Sequence, residues 1–579
     1  MTWRDLMCGE VRTDHVGERL ALAGWADARR DHGGLVFVDL RDSSGICQVV
    51  VNPERAPDAH RVAHAVRNEF VLRAEGEVVR RAPENVNPEL PTGEVELQVD
   101  RLEILSSCPP LPFQLDEEGV DETLRIRYRW LDLRRGRLQR NIRMRAQMIS
   151  VIRREMDAAG FVEIETPIMA KPTPEGARDF LVPTRLQPGR FFALPQSPQI
   201  YKQLLVISGF ERYYQIARCF RDEDLRADRV QEITQLDLET AFPDREEIFG
   251  LMETVFGAVW RECIGVELES PFPRLTFAEA MRRYGTDKPD LRLGLEIEDA
   301  SEATRGSQFG VFANADCVRF LRAPQAFSRA ELERLEALAK EWGGKGLAYL
   351  VFAEDGEVRS PIAKFLSEDE LAHFRSEPGT TVLFGADRPA VVERVLGNLR
   401  LQLGRQLGLV DETLWRPVWI VDFPMFDWDE DEGAWKANHH PFTAPTPESE
   451  ALLDDDPGAA IAQAYDLVVN GVELGSGSIR IHGPELQAKV FDVLRISAEE
   501  QRSRFGFLLD ALAMGAPPHG GFAPGMDRTI MLLAGEPNLR DVIAFPKNQA
   551  GVDPMSGAPS DVPREQLEEL GIELRVEPR

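Results

Sequence analysis

Cysteine is scarce in this chain: six residues, at positions 8, 47, 108, 219, 263 and 317, are widely scattered, and no pair has the CxxC spacing of a zinc site or redox motif. A reduced, cytoplasmic protein fits that usage. Long apolar runs are missing as well. No stretch reaches the roughly eighteen residues of a membrane span, and Met1-Thr2-Trp3-Arg4-Asp5 lacks the apolar run of a signal peptide, so a soluble protein with no membrane partner is expected. Positive charge is in deficit, with 68 lysines and arginines against 97 aspartates and glutamates, a net charge of −29. That balance argues against a protein that coats nucleic acid nonspecifically, because neutralising phosphates takes basic surface. Three nucleotide signatures are also absent: a GxxxxGK[ST] phosphate loop, a GxGxxG turn after a strand, and an HxGH segment. Gly343-Gly344-Lys345-Gly346 is too short to cradle a phosphate and reads as a turn.

At 579 residues a single core does not suffice, and about three or four domains are expected. Residues 1 to 105 read as five short strands, Leu20–Trp25, Leu35–Leu40, Ile46–Val51, Phe70–Val79 and Val95–Ile104, which suggests a small barrel of the OB type. In the second strand Val36, Val38 and Leu40 point one way, while Phe37 lies with Asp39 and Arg41 on the polar face. An aromatic there either covers a barrel end or, beside Arg30 and Gln48, stacks on an unpaired base. Ser106-Ser107-Cys108-Pro109-Pro110-Leu111-Pro112 is a stiff, extended linker. Between Arg125 and Arg154 stand eleven arginines against one acid, Asp132. Such a block suits a helix face pairing with acidic neighbours or an electrostatic seat for an RNA backbone. From about 290 to 410, mixed signals, including an amphipathic helix over Arg329–Trp342 and a strand over Leu347–Phe352, carry no phosphate or carboxylate motif.

The chemistry concentrates elsewhere. Tyr213 to Phe220 reads as a strand that puts Ala217, Cys219 and Arg221 on one face, two small side chains beneath a guanidinium, which suits a nucleotide phosphate. A solvated charged helix from Arg221 to Glu232 is the alternative. Ile233 to Thr240 alternates again, with Leu236 and Leu238 opposed to Gln235, Asp237 and Glu239, so the two strands predict a hairpin with one polar floor. A second arginine beside small residues, Arg528, follows Gly520-Gly521-Phe522-Ala523-Pro524-Gly525-Met526-Asp527. Asp466 and Glu473, seven residues apart, are either surface acids or a pair suited to magnesium on phosphates, an ion that takes few carboxylates and keeps several waters. Glu473 and Arg480 are seven residues apart, hence on opposite faces of a regular strand, unless a bulge permitted by Gly475 and Gly477 restores a common face. His439-His440 is no metal pair, since adjacent histidines in a strand face opposite ways and no third ligand sits at suitable spacing; polar lining of a site is the reading.

Taken in order, these segments resemble the bacterial-type aspartyl-tRNA synthetases, class II aminoacyl-tRNA synthetases of subclass IIb, over nearly the whole chain. Gly160-Phe161-Val162-Glu163-Ile164-Glu165-Thr166-Pro167 is similar to motif 1, Phe220-Arg221-Asp222-Glu223 to motif 2, and Gly525-Met526-Asp527-Arg528 to motif 3. Between them stand segments similar to that family's own: Thr173 to Asp179, Gln196 to Gln203, His439 to Thr443, and Gly475 to His482.

The resemblance implies an α+β multidomain fold: an OB-type anticodon barrel (1–105), a hinge linker (106–130), an antiparallel-sheet catalytic domain in two parts (131–289 and 411–555), an α+β insertion domain (290–410) and a C-terminal extension (556–579). It implies ATP and Mg2+ as cofactors, L-aspartate and tRNA(Asp) as substrates, and a homodimer built on motif 1. Expected roles are Arg221 and Arg528 in catalysis; Arg221, Glu223, Glu473 and Arg528 on ATP; and Asp466 with Glu473 on the metal. Aspartate falls to Glu175, Ser197, Gln199, Lys202, Asp237, His439 and Arg480, where Lys202 and Arg480 meet its side-chain carboxylate and Asp237 its ammonium. Two cations at the side-chain end disfavour an amide or an ammonium there. Arg30, Phe37 and Gln48 are expected to read the anticodon. His32 is either an ordinary turn residue or, with Glu84, a departure from the pattern of members strict for tRNA(Asp), which makes tRNA(Asn) a second candidate substrate. A noncatalytic tRNA-binding paralogue is the alternative, against which the intact Arg221, Arg528, Asp466 and Glu473 speak.

Overall fold

From Leu35 to Arg41 the apolar–polar alternation is matched by burial: Val36, Val38 and Leu40 are buried, and Phe37 and Asp39 are half-exposed. The same rule builds a closed five-stranded barrel from Arg19–His32, Leu35–Arg41, Ile46–Val51, Val95–Ser106 and Val71–Arg80, adjacent in that order. Its first hairpin turns on Gly33 and Gly34, at φ +59° and +85°, the left-handed pair that a two-residue turn between twisted strands requires. The structure, a computed structural model, describes residues 3–172 and 177–575. It divides into two units, Met1–Gly119 and Val120–Arg579. The helix Glu122–Arg127, within the 106–130 segment, falls in the second unit, where Arg125 pairs with Asp541 at 2.9 Å.

The second unit is organised on an eight-stranded sheet of the described residues, in the order Arg274–Thr276, Pro417–Val421, Ala464–Val469, Val472–Ile479, His519–Pro524, Glu232–Ala241, Arg212–Phe220 and Val162–Glu163. It is antiparallel except at its two ends. One face is covered by the helix Arg245–Ile264, which starts on an Asp244 cap and stops at Gly265 in the left-handed conformation. That helix buries Phe249, Met252, Phe256 and Trp260 against Leu236, Leu238, Tyr465 and Leu467 of the sheet, and Phe249 stacks on Trp419 at 4.3 Å. With one face sealed by aromatic and aliphatic packing, polar residues of opposite parity are left for the other face.

The chain leaves this sheet after the helix Phe277–Tyr284 and builds a second one, Glu298–Asp299, Cys317–Ala323, Thr380–Asp387, Ala348–Phe352 and Val358–Arg359. The helices Arg329–Glu341 and Pro389–Gln406 pack on it through Leu332, Leu335, Leu396 and Leu399.

Of the arginine block, Arg125, Arg129, Arg135, Arg137, Arg145, Arg153 and Arg154 all pair with acids. Several of those acids, Asp527, Glu536 and Asp541, lie in or just after the helix Met526–Ala534. Arg129, buried, also donates to the carbonyls of Arg540, Ile543 and Ala544. Pairing with acidic neighbours, one of the two readings of this block, accounts for these residues.

Candidate active site

The site grows from the register of one hairpin. Arg212–Phe220 pairs with Glu232–Ala241 so that Ala217 lies opposite Gln235, Gln215 opposite Asp237 and Tyr213 opposite Glu239. Leu236 and Leu238 go down into the core, and Asp237 and Glu239 rise on the other face, both fully buried. Carboxylates there need cations, and two other elements supply them. The helix Gln199–Ile207 brings Lys202 Nζ to 3.0 Å from Asp237 Oδ1 and 3.5 Å from Glu239 Oε2. Just past the Val472–Ile479 strand, Arg480 donates to both Glu239 oxygens, at 2.9 and 3.2 Å. Burial raises the pKa of Glu239, but Arg480 and Lys202 outweigh it and hold the group below the usual carboxylate range. Gly521 makes room for it: a Cβ there would stand 2.1 Å from Glu239 Oε2.

Ser197, Gln199, Lys202, Arg221, Asp237, His439 and Arg480, all singled out in the sequence, line one cleft of about 160 Å³. A cavity of about 770 Å³ in the second sheet is larger, but none of those residues lines it; the chemistry of the lining, not volume, picks the site. Two atoms facing this chemistry are buried without a hydrogen-bond partner, Asp237 Oδ2 and His439 Nδ1, and such groups are costly unless something satisfies them. Both histidines line the cleft, as polar site residues should, and only the strand premise is corrected. The strand Ala434–Ala437 ends before them, so strand parity does not apply. His439 Nε2 lies 3.3 Å from Asp466 Oδ1, and His440 Nε2 lies 2.6 Å from Arg480 Nη1. Burial and the Arg480 charge push His440 well below the ordinary imidazole pKa, so the neutral ring accepts the arginine's N–H.

The parity conflict between Glu473 and Arg480 is resolved by a bulge. Leu467 pairs with Gly475 but Val468 pairs with Glu473, leaving Leu474 as the extra residue. Leu474 turns into the core, and Glu473 shares the face of Ser476, opposite Asp466. Asp466 is raised above the usual carboxylate range by burial and by Glu473, against the opposing pull of His439. Glu473 is lowered, burial notwithstanding, by Lys288, whose Nζ is 2.7 Å from its Oε2. Arg528 Nη1 donates to Glu473 O at 2.9 Å, which ties motif 3 to the acidic pair.

Glu223 stands apart from the cleft lining and pairs with Arg229 at 2.8 Å. Glu175 lies outside the described residues. In the barrel unit, Arg30 is directly opposite Phe37 and Asp39 opposite Gln48. Arg30 pairs with Asp39 at 2.9 Å and remains exposed. His32, exposed, is the last residue of its strand and shares the Arg30–Phe37 face. Sequence reasoning gave no role to Glu239 or Lys288; the parity of Glu239 with Asp237 was the available signal for the first.

An antiparallel sheet carrying a buried array of alternating charges, beside a carboxylate pair and two arginines, defines a class. The family model of tRNA synthetases class II (D, K and N) matches residues 121–549, that of the OB-fold nucleic acid binding domain matches 20–105, and the chain belongs to the class II tRNA synthetases of the D, K and N group. It is 50% identical over 571 residues to the aspartate–tRNA(Asp/Asn) ligase of Syntrophomonas wolfei, covering 97% of each chain. It is 49% identical to the ligase of the same name from Symbiobacterium thermophilum, covering 99% of this chain and 100% of the relative. The asparaginyl-tRNA synthetase of Pyrococcus horikoshii, solved with asparaginyl-adenylate, shares the fold with a TM-score of 0.61 at 19% identity, covering 93% of this chain and 97% of that one.

Proposed function

We propose that the chain activates L-aspartate with ATP and transfers the aspartyl group to the 3′ end of tRNA(Asp) and also of tRNA(Asn). The buried Lys202–Asp237–Glu239–Arg480 array carries the aspartate assignment. Before substrate binds, its two cations and two anions balance, and Asp237 Oδ2 is without a partner. An aspartate brings an ammonium for the unpartnered Asp237 oxygen, and its side-chain carboxylate joins Asp237 and Glu239 around Lys202 and Arg480. An asparagine amide gains less from two cations, and a lysine ammonium is repelled by them.

The α-carboxylate is already ionised, so activation rests on positioning and charge stabilisation rather than proton transfer. The carboxylate attacks the α-phosphorus of ATP, the bond to the bridging oxygen breaks, and pyrophosphate leaves on the opposite side. Arg221, in the aspartate cleft, spans the substrate carboxylate and the α-phosphate, and Arg528 meets the distal phosphates. Glu223 contributes to the ATP side and Glu175 to the aspartate side. Asp466 and Glu473, on one face through the Leu474 bulge, fit Mg2+: two hard oxygen donors leave positions for phosphates and water. Among the described residues no cluster of three or more His, Cys, Asp or Glu is placed to hold a metal. Bound there, Mg2+ supplies charge neutralisation on the phosphates.

Residues 1–105 act as the anticodon barrel, with Phe37 stacking and Arg30 and Gln48 reading edges. The catalytic domain is 131–289 with 411–555, joined by the 106–130 hinge, interrupted by the 290–410 insertion and followed by the 556–579 extension. The enzyme works as a homodimer. Val162, Ile168 and Met169, in or just after motif 1, are exposed and support this, since exposed apolar side chains of this kind favour an interface. No helix among the described residues is long and apolar enough to cross a membrane, and a cytoplasmic enzyme is in keeping with that. Relatives named for both tRNAs, together with His32 on the Phe37 face, support the relaxed tRNA choice. The test is aspartylation of purified tRNA(Asp) and tRNA(Asn): charging of both is expected, and charging of tRNA(Asp) alone would remove the relaxed reading.

A further inference from the structure

Lys288 belongs to no motif, yet its ammonium sits 2.7 Å from Glu473 Oε2. The loop that carries it is clamped from two sides. Gly285, at φ +68°, ends the helix Phe277–Tyr284 and packs on Gly397 of the helix Pro389–Gln406, where a Cβ would stand 2.5 Å from Gly285 O. From the same helix, Arg400 donates through Nη2 to Asp290 O at 2.6 Å and through Nε to Leu295 O. On the other side Gly471, in the turn between the strands bearing Asp466 and Glu473, fits against Asp290 so that a Cβ would lie 3.2 Å from Asp290 Cβ. The inserted unit and the acidic hairpin thus hold one loop between them, and that loop delivers a cation to the carboxylates.

We propose that Lys288 is a positioning residue for metal and ATP. Its ammonium neutralises Asp466 and Glu473 while the site is empty of nucleotide and yields to the metal when ATP arrives. The inference rests on reading Asp466 and Glu473 as the metal pair. Two carboxylates alone hold Mg2+ poorly, because the ion demands six oxygens and gives up its waters reluctantly. A lysine tethered at contact distance makes lone metal binding poorer still, since the ion pair must first be broken. Phosphates reverse the balance: they add oxygen ligands for the metal and give the displaced ammonium an anionic partner. A compact point charge on a flexible stem suits such an exchange. Metal and ATP are therefore expected to bind cooperatively, with Lys288 as the source of the coupling.

The test uses the full chain and Mn2+ alone as the probe, titrated by electron paramagnetic resonance without ATP. K288M should bind Mn2+ about five- to tenfold more tightly than wild type, the loss of one charged contact. K288R should stay near wild type, and K288M/E473Q should lose the gain. The ATP-induced tightening of Mn2+ binding should shrink in K288M. Equal Mn2+ affinity of wild type and K288M would overturn the proposal. E473Q is measured separately with ATP bound: if it leaves Mn2+ retention unchanged, the metal pair itself is misassigned and the proposal falls with it.

Discussion

Lys202→Met removes one charge from the buried array while keeping most of the side-chain volume. Lys202 is 1% exposed and touches two carboxylates, at 3.0 and 3.5 Å. Two effects follow, and they separate. Folding loses one member of a buried ion network, a truncation that costs about 3–5 kcal/mol when the partner charge stays buried. Arg480 still pairs with Glu239 at 2.9 Å, but Asp237 loses the one cation it pairs with among the described residues, so the full range applies. Binding of aspartate loses a charged contact to its side-chain carboxylate, about 2–5 kcal/mol for a desolvated pair. At 1.4 kcal/mol per tenfold, kcat/KM for aspartate should drop by roughly thirtyfold to several thousandfold. ATP touches neither Lys202 nor its partners in the proposed arrangement, so the KM for ATP should change by less than about threefold on this reasoning. The assay is pyrophosphate exchange with aspartate and with asparagine, run well below the unfolding midpoint measured for the variant. Preference for aspartate over asparagine should fall. Equal losses for the two amino acids, or a change confined to ATP, would refute the reasoning.

Arg221→Ala should reduce aspartate-dependent exchange by about 10²–10³, the effect of one lost transition-state donor at 2.7–4 kcal/mol; activity within twofold of wild type would contradict it. Sedimentation should give twice 65.1 kDa at micromolar concentration, and a monomer would count against the motif 1 interface. Burial, with Arg480, holds His440 below its ordinary pKa, and burial does the same to His519. A depressed folded pKa means that below about pH 6.5 the unfolded chain takes up protons that the folded one does not. Stability is therefore present above that pH and lost as pH falls through it; His440→Gln should flatten the slope of denaturation midpoint against pH below 6.5, and an unchanged slope would remove His440 from the account. His32→Leu should reduce charging of tRNA(Asn) while leaving adenylate formation unchanged.

Where local pattern decides, the sequence was readable. The barrel strands and the central hairpin alternate because one face is buried, and the observed strands lie within a few residues of those expected, as in Arg212–Phe220 and Glu232–Ala241. The first barrel strand was read too short. It continues past Trp25 to His32 through a polar stretch, with a bulge between Ala26 and Ala28, and exposed polar residues carry no alternation to betray it. The inserted unit's helix and strand were legible by the same periodicity, at Arg329–Glu341 and Ala348–Phe352. His439 and His440 do line the site, but the strand parity used in reading them fails because they lie beyond a strand end. The bulge was foreseen as a need, but its place at Leu474 follows from packing that leucine into the core. Lys288 was invisible, since its meaning depends on an acid far along the chain and on a loop shaped by a helix from the inserted unit.

Pyrophosphate exchange on the purified chain with Mg2+ and ATP, offered L-aspartate, L-asparagine and L-lysine in turn, tests the central claim most directly. The charge array predicts strong exchange with aspartate and little with the other two, and Arg480→Leu should abolish it. Exchange led by asparagine or lysine, or none with any of the three, would contradict the account.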